Sequence, residues 1–183
     1  NTTYNLTGAK YARQLRTHHL ADCLAVIPSL RNTFDKSSPI RVLDVGSGAG
    51  LPGIVLALLH PSWQVDCVDA VGKKAAFIRQ AAGQLNLANL RSIHSRVEAM
   101  EAAWQLSNGG YDLIISRAFS NLRTFIDCSR PLLKPAGIWF AMKGKVPQDE
   151  LAALPSDVVV IGIEQVDVPN LKADRCLIKL SCL

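Results

Sequence analysis

The sequence predicts an α/β fold, a mostly parallel seven-stranded sheet with helices on both faces, in a single domain over residues 1–183. Three observations carry that reading. From Ile40 onward, short β-rich apolar runs bounded by turns alternate with longer stretches whose apolar residues recur at helical spacing. The first five of these runs are each separated from the next by a helix-length segment, which parallel pairing requires. A chain of 183 residues with 49% hydrophobic content can bury one core of ordinary size and is too short for two large domains.

Each element follows in order. Residues 1–38 read as a basic helical lead-in. Lys10, Arg13, Arg16, Arg31 and Lys36 outnumber Asp22 and Asp35, and Leu15, His19, Leu20, Cys23, Leu24 and Ile27 form a helical stripe suited to covering one face of the sheet. A turn follows at Ser37-Ser38-Pro39. The run at 40–45 is the first strand, and a glycine-rich turn leads into a helix over 52–60, where Pro52 suits the first turn because its missing N–H costs little there. Strands at 64–69, 90–94, 111–117 and 136–142 then alternate with helices at 73–85, 98–106, 121–133 and 147–153. The last two strands, 157–167 and 174–181, are joined through Pro169 and Asn170 by a link too short for a helix, so antiparallel pairing is expected.

Composition narrows the function classes. With 20 Lys and Arg against 15 Asp and Glu, the net charge of +5 suits an anionic partner without naming one. The stretch that comes nearest to a membrane span, Val42 to Ala70, contains Asp44, Asp66 and Asp69 and is broken by Gly and Pro, so it cannot be one apolar helix of about 20 residues. The five cysteines are odd in number, widely spaced and without a C-x-x-C, which argues against a disulfide framework or zinc site and for a reducing cytoplasm. No metal is expected. The chain opens at Asn1 without a charged-then-apolar leader, so no secretory signal is expected either.

The most informative stretch runs from Val42 to Gly53, Val-Leu-Asp-Val-Gly-Ser-Gly-Ala-Gly-Leu-Pro-Gly. Glycines let backbone approach a ligand by removing the Cβ and by tolerating positive φ. Gly48, Gly50 and Gly53 match G-x-G-x-x-G, the dinucleotide pattern, but an extra glycine, Gly46, comes first and Asp44 stands two residues before it. An acidic group there would repel a pyrophosphate and suits a ligand bearing a sulfonium and an α-ammonium, as S-adenosylmethionine does. Asp69, 23 residues after Gly46 at the end of the second strand, is placed to accept hydrogen bonds from ribose hydroxyls. It points to an adenosine without saying which one.

The acceptor is narrowed by what is missing. The segment after the fourth strand reads Ile114-Ile115-Ser116-Arg117-Ala118-Phe119-Ser120, without the Asn/Asp-Pro-Pro-aromatic motif of exocyclic-amine methylation. No cysteine adjoins a proline, as C5-pyrimidine methylation would need, and Cys67 and Cys128 read as packing residues. Arg117 offers a fork of donors for a carboxylate, a phosphate or guanine O6. Guanine N7 has an in-plane lone pair and needs no base, so the lack of a recognisable base fits that acceptor. Arg123, Arg130 and Lys134 are spaced to share a helix face that Asp127 partly neutralises, which reads as a solvated face.

Together these segments resemble the bacterial 16S rRNA guanine-N7 methyltransferase G family, also called glucose-inhibited division protein B. The resemblance rests on Tyr4-Asn5-Leu6-Thr7, His19-Leu20-Ala21-Asp22, Asp44 to Gly53, Asp69 with Gly72-Lys73, Ser95-Arg96-Val97-Glu98, Ile115-Ser116-Arg117-Ala118, Lys143-Gly144, and Val168-Pro169 with Arg175. It implies a Rossmann-like class-I methyltransferase that uses S-adenosylmethionine on 16S rRNA, within the small subunit or its precursor, as a cytoplasmic monomer. By resemblance the cofactor is bound by Asp44, Gly46, Gly48, Leu51, Asp69, Val97, Glu98 and Arg117. Arg117 also stands as the catalytic residue, and His19, Lys143 and Arg175 as RNA contacts. Cys23 and Cys176 depart from the family's usual Ser and His, and the helical segment that typically precedes Tyr-Asn-Leu-Thr is not present in the sequence. The alternatives are a small-molecule methyltransferase using the same loop and a cofactor-binding regulatory module without turnover.

Overall fold

A computed structural model describes residues 19–35, 38–100, 109–117, 119–169, 171 and 173–183. The expectations for residues 1–18, the Tyr-Asn-Leu-Thr segment among them, and for 101–108 lie outside the described residues.

The first strand shows why the sheet forms. β1 (Arg41–Val45) pairs in parallel with β2 (Gln64–Asp69) on one side and β4 (Tyr111–Arg117) on the other. Its residues from Val42 to Val45 are all buried, as the nearly continuous apolar run of a central parallel strand demands. β3 (Leu90–His94) adds to β2, and β5 (Leu133–Lys143) adds to β4, both in parallel. The last strands, β6 (Val158–Gln165) and β7 (Cys176–Cys182), pair antiparallel with each other, and β7 also pairs antiparallel with β5. The resulting order, β3-β2-β1-β4-β5-β7-β6, places β7 between two strands that precede it in the chain.

Alternation along the strands sends side chains to two faces. The helix α1 (Ala21–Ala25) buries Cys23 against Leu51 and Val55. On one face of the sheet Val42, Val65, Cys67, Leu113 and Phe140 pack under α2 (Ile27–Thr33), α3 (Gly53–Leu59) and α4 (Gly72–Gln84) through Ile27, Leu30, Leu56 and Ile78. On the other, Leu43, Ile114, Trp139 and Leu180 pack against Phe125 and Ile126 of α5 (Leu122–Ser129). Each such fully buried side chain stabilises the fold by about 1.5–3 kcal/mol relative to exposure. The Asn121 side chain caps α5 by accepting from Thr124 N at 3.2 Å. A short helix, α6 (Gln148–Ala152), links β5 to β6.

Several boundaries depart from expectation. The helix expected over 121–133 stops at Ser129, because Pro131 cannot continue an α-helix; Arg130–Leu132 tighten into a 3₁₀ turn and Leu133 already belongs to β5. Arg123, Arg130 and Lys134 therefore share no helix face. They pair separately, with Asp127 at 3.0 Å, with Asp157, and with Asp112 at 2.8 Å. β5 begins earlier than expected, with Leu133 opposite Tyr111, and its register shifts before Ile138 meets Leu113. A Cβ on Gly137, within that irregularity, would lie 2.8 Å from the carbonyl oxygen of Tyr111. The helix expected over 98–106 opens as a 3₁₀ turn, Val97–Ala99. In the lead-in, Cys23 and Ile27 are buried as the stripe requires, whereas Leu24 is 50% exposed, because α1 and α2 are separate short helices meeting at Val26.

Candidate cofactor and substrate cavities

The strand order reverses between β1 and β4, and at the carboxyl ends of these strands the chain leaves an open crevice. The turn after β1 forms one wall. Gly46, Gly48 and Gly50 hold φ of 68°, 59° and 79°, where a side chain would be strained. The turn folds over the end of β2 through Gly46 N and Ser47 N, which both donate to the carbonyl of Val68, at 2.9 and 3.1 Å. A Cβ on Gly46 would meet nothing within 4 Å, so the glycine leaves backbone open to the crevice. At Gly53 the reason is space: a Cβ there would lie 2.2 Å from Cys67 Sγ.

A cavity of about 640 Å³ opens beside this turn. Gly46, Asp69, Val97 and Glu98 line it, four of the residues expected to bind the cofactor. Asp69 is almost fully buried and accepts from Gly48 N at 2.9 Å and Val71 N at 2.8 Å, with Lys74 Nζ 3.8 Å away. It therefore fixes the turn and stands at the cavity's edge at once. Gly48 contributes that N–H and does not line the cavity. Leu51 is buried among Leu20, Cys23 and Val55, against the lead-in.

Asp44 also stands back from the cavity. It is completely buried, Oδ2 accepts from Gly53 N at 2.9 Å, and Oδ1 has no partner among the described residues. Burial pushes its carboxyl up to about 7, while the Gly53 N–H and the charge of Arg117 pull the other way. In place the carboxyl anchors the start of α3 to β1.

The opposite wall of the cavity comes from residues that motif reading missed. Phe119 follows β4, and Thr124, Asp127 and Cys128 project from α5. Their spacing of three and four places them on one helix face, which is the signal that was available in the sequence. Burial pushes the Cys128 thiol up to about 11, so it stays protonated and non-nucleophilic at neutral pH.

A second cavity, about 390 Å³, is lined by His19, Asp22, Arg117, Lys143 and Arg175 among others. It brings together all three residues expected to contact RNA, and Arg117, expected at the cofactor as well, lines this cavity and not the first. Arg117 Nη1 donates to His19 Nδ1 at 2.8 Å, which requires the neutral imidazole with its proton on Nε2. Asp22, buried at the back, accepts from Arg175 Nε at 2.9 Å and lies 3.7 Å from Arg117 Nη1. Lys143 is neither solvated nor idle. It donates to Phe119 O at 3.0 Å and to Glu150 at 2.8 and 3.1 Å, and Glu150 in turn accepts from Leu122 N at 2.6 Å. Lys143 and Glu150 thus brace the loop between β4 and α5. Among the described residues no cluster of three His, Cys, Asp or Glu could hold a metal, and no helix is long and apolar enough to cross a membrane.

The family described as rRNA small subunit methyltransferase G matches residues 1–178. The ribosomal RNA small subunit methyltransferase G of Acidovorax ebreus (strain TPSY) is 48% identical over 187 residues, covering 98% of this chain and 80% of the relative. That of Leptothrix cholodnii is 48% identical over 178 residues, covering 97% and 78%. Among solved structures, a SAM-dependent methyltransferase from Aquifex aeolicus superposes with a TM-score of 0.63 over 93% of each chain at 15% identity, a likeness of fold.

Proposed function

The chain belongs to the rRNA small subunit methyltransferase G family, and from that premise we propose that it transfers a methyl group from S-adenosylmethionine to N7 of a guanine in bacterial 16S ribosomal RNA. In this reading it works in the cytoplasm as a monomer on the small ribosomal subunit or its precursor. The observation that carries the reading is the pairing of two cavities across the end of β4. One is edged by Gly46, Asp69 and Val97, and the other by His19, Arg117, Lys143 and Arg175.

The first cavity fits the cofactor. Gly46 leaves an opening that a side chain would fill, and Asp69 is held rigidly at its edge by two backbone N–H groups. Asp69 would hold the ribose through its remaining lone pairs, and Val97 with Glu98 would border the adenine. Asp44, Gly48 and Leu51 would act by shaping the turn.

S-adenosylmethionine, when bound, supplies an electrophilic methyl carbon on a sulfonium. Guanine N7 would attack that carbon through its in-plane lone pair as the carbon–sulfur bond breaks, leaving S-adenosylhomocysteine and moving the positive charge to the methylated guanine, so no residue is asked to remove a proton. The chain's contribution is alignment and exclusion of water. Arg117, on the wall of the second cavity, would hold the substrate against the methyl donor. The Lys143–Glu150 brace holds the Phe119 loop in place at the wall of the first cavity.

Labelled-methyl transfer to unmodified small subunits, naked 16S rRNA and a panel of small molecules tests the proposal. Label on a guanine N7 of the subunit or its rRNA is expected. Label only on small molecules, or no label with intact S-adenosylhomocysteine binding, would sink it.

A further inference from the structure

We propose that Asp22 is a positioning residue whose buried carboxylate ties Arg117 and Arg175 into one cationic pair that receives a phosphodiester oxygen of the substrate RNA. The inference rests on the reading above, that the chain acts on ribosomal RNA.

The two arginines meet different oxygens of the same carboxylate. Arg175 Nε donates to Oδ1 at 2.9 Å, and Arg117 Nη1 lies 3.7 Å from Oδ2. Two guanidiniums drawn so close would repel each other, and the shared carboxylate offsets that repulsion. Among the described residues one positive charge is left over. Lys143, the other cation at this cavity, is matched by Glu150, so the excess belongs to the arginine pair.

The layering is directional. The Asp22 side chain is 7% exposed against 19% for Arg117 and 25% for Arg175, so the carboxylate lies behind and the cations in front. Arg117 uses Nη1 on His19, and Arg175 uses Nη1 on the Asp174 carbonyl at 2.8 Å. Among the described residues this leaves Nε and Nη2 of Arg117 and Nη2 of Arg175 without hydrogen-bond acceptors, on groups that line a 390 Å³ cavity. Such donors want an oxyanion, and two forks held in register suit a phosphate better than two mobile side chains do. Phosphate contacts of this kind set the register of a nucleic acid. Phe119, two residues past Arg117, lines the neighbouring cavity, so a strand gripped here would present its base there.

Replacing Asp22 by Asn gives a test whose sign discriminates. Removing a negative charge beside a polyanion should by long-range electrostatics alone tighten RNA binding. The positioning role predicts the opposite. For Asp22→Asn, KM for unmodified small subunits should rise about tenfold, while the Kd for S-adenosylhomocysteine changes by less than about twofold. An unchanged or lower KM overturns the proposal. So does a loss of S-adenosylhomocysteine affinity, which would assign the pair to the cofactor's carboxylate. In the Arg175→Lys background the Asp22→Asn effect should fall below about twofold, and full additivity would overturn it as well. If melting shows that Asp22→Asn does not fold, Asp22→Glu keeps the charge and shifts the oxygens by a methylene. Its KM should rise about threefold, and a wild-type KM again overturns the role. An inactive wild type in the same assay counts against the rRNA reading, whereas an active wild type with an unaffected variant counts only against Asp22.

Discussion

Arg117 is bound on one side by His19 and Asp22 and open on the other, so its planar fork matters more than its charge. Lys at this position keeps the charge beside Asp22 and loses the fork. Arg117→Lys is expected to slow single-turnover methyl transfer to small subunits by at least about tenfold, or roughly 1.4 kcal/mol, without a comparable loss of stability. Wild-type turnover would remove Arg117 from the reaction, and a large melting shift accompanying the loss would make it a structural ion pair. Asp44 yields a prediction in pH. Its carboxyl is pushed up to about 7 in the folded protein and ionises near 3.9 in an unfolded chain, so the folded state binds the proton more tightly. The stability this adds is full below about pH 4 and is lost as pH rises through about 7. Asp44→Asn stays neutral throughout and still offers an oxygen to Gly53 N–H. Urea denaturation of both proteins should show wild type losing ground to Asp44→Asn between about pH 4 and 7, and parallel curves would refute the buried-acid account. Both residues stood out in the sequence, Asp44 from its place before the glycine turn and Arg117 from the segment after the fourth strand, but the fold sets Asp44 back from the cavity as the anchor of Gly53 and puts Arg117 on the second cavity. Asp22 was visible only as part of a motif, because its partners, Arg117 and Arg175, lie 95 and 153 residues away in the chain.

At the scale of elements, the join between β1 and α3 leaves no room for a side chain at Gly53. Gly53→Ala would set a Cβ 2.2 Å from Cys67 Sγ and 3.0 Å from Asp44 Oδ2, both fully buried. A loss of about 1–3 kcal/mol is expected by denaturation, and Cys67→Ala in the same chain should recover part of it by clearing the sulfur. No recovery would mean that the backbone rather than the sulfur sets the limit. The strands expected at 64–69, 90–94 and 111–117 coincide with β2, β3 and β4, because each is a short apolar run bounded by turns. Helix ends were less legible. Leu132 and Leu133 continue the apolar spacing of α5, so periodicity alone runs on past Ser129, and the decisive event is the backbone conflict at Pro131. The wall of the first cavity formed by α5 was hidden for a related reason. Thr124, Asp127 and Cys128 look like any mixed helical surface until the fold turns that face toward Val97.

For the whole molecule, the described part of the lead-in, from His19 to Asp35, belongs to the core. Leu30 is fully buried in the same cluster as Trp63, and Phe34 meets Trp63 edge-on at 6.0 Å. Leu30→Ala should cost about 2–5 kcal/mol, with fluorescence and circular dichroism falling in one coincident transition. Two separate transitions would show the lead-in folding apart from the sheet. The position of β7 bears on how the protein is made. Synthesis delivers β5 and then β6, yet neither can pair with the other until the strand that separates them has been translated. Seventeen residues lie between the end of β6 at Gln165 and the end of β7 at Cys182, about 1–3 s at ordinary elongation rates. For that interval the nascent chain carries two open edges, one of them bearing Ile161 and Ile163, which remain exposed even in the finished fold. Crowded polysomes, where neighbouring chains carry the same edges at the same moment, are therefore where this protein is most open to mispairing.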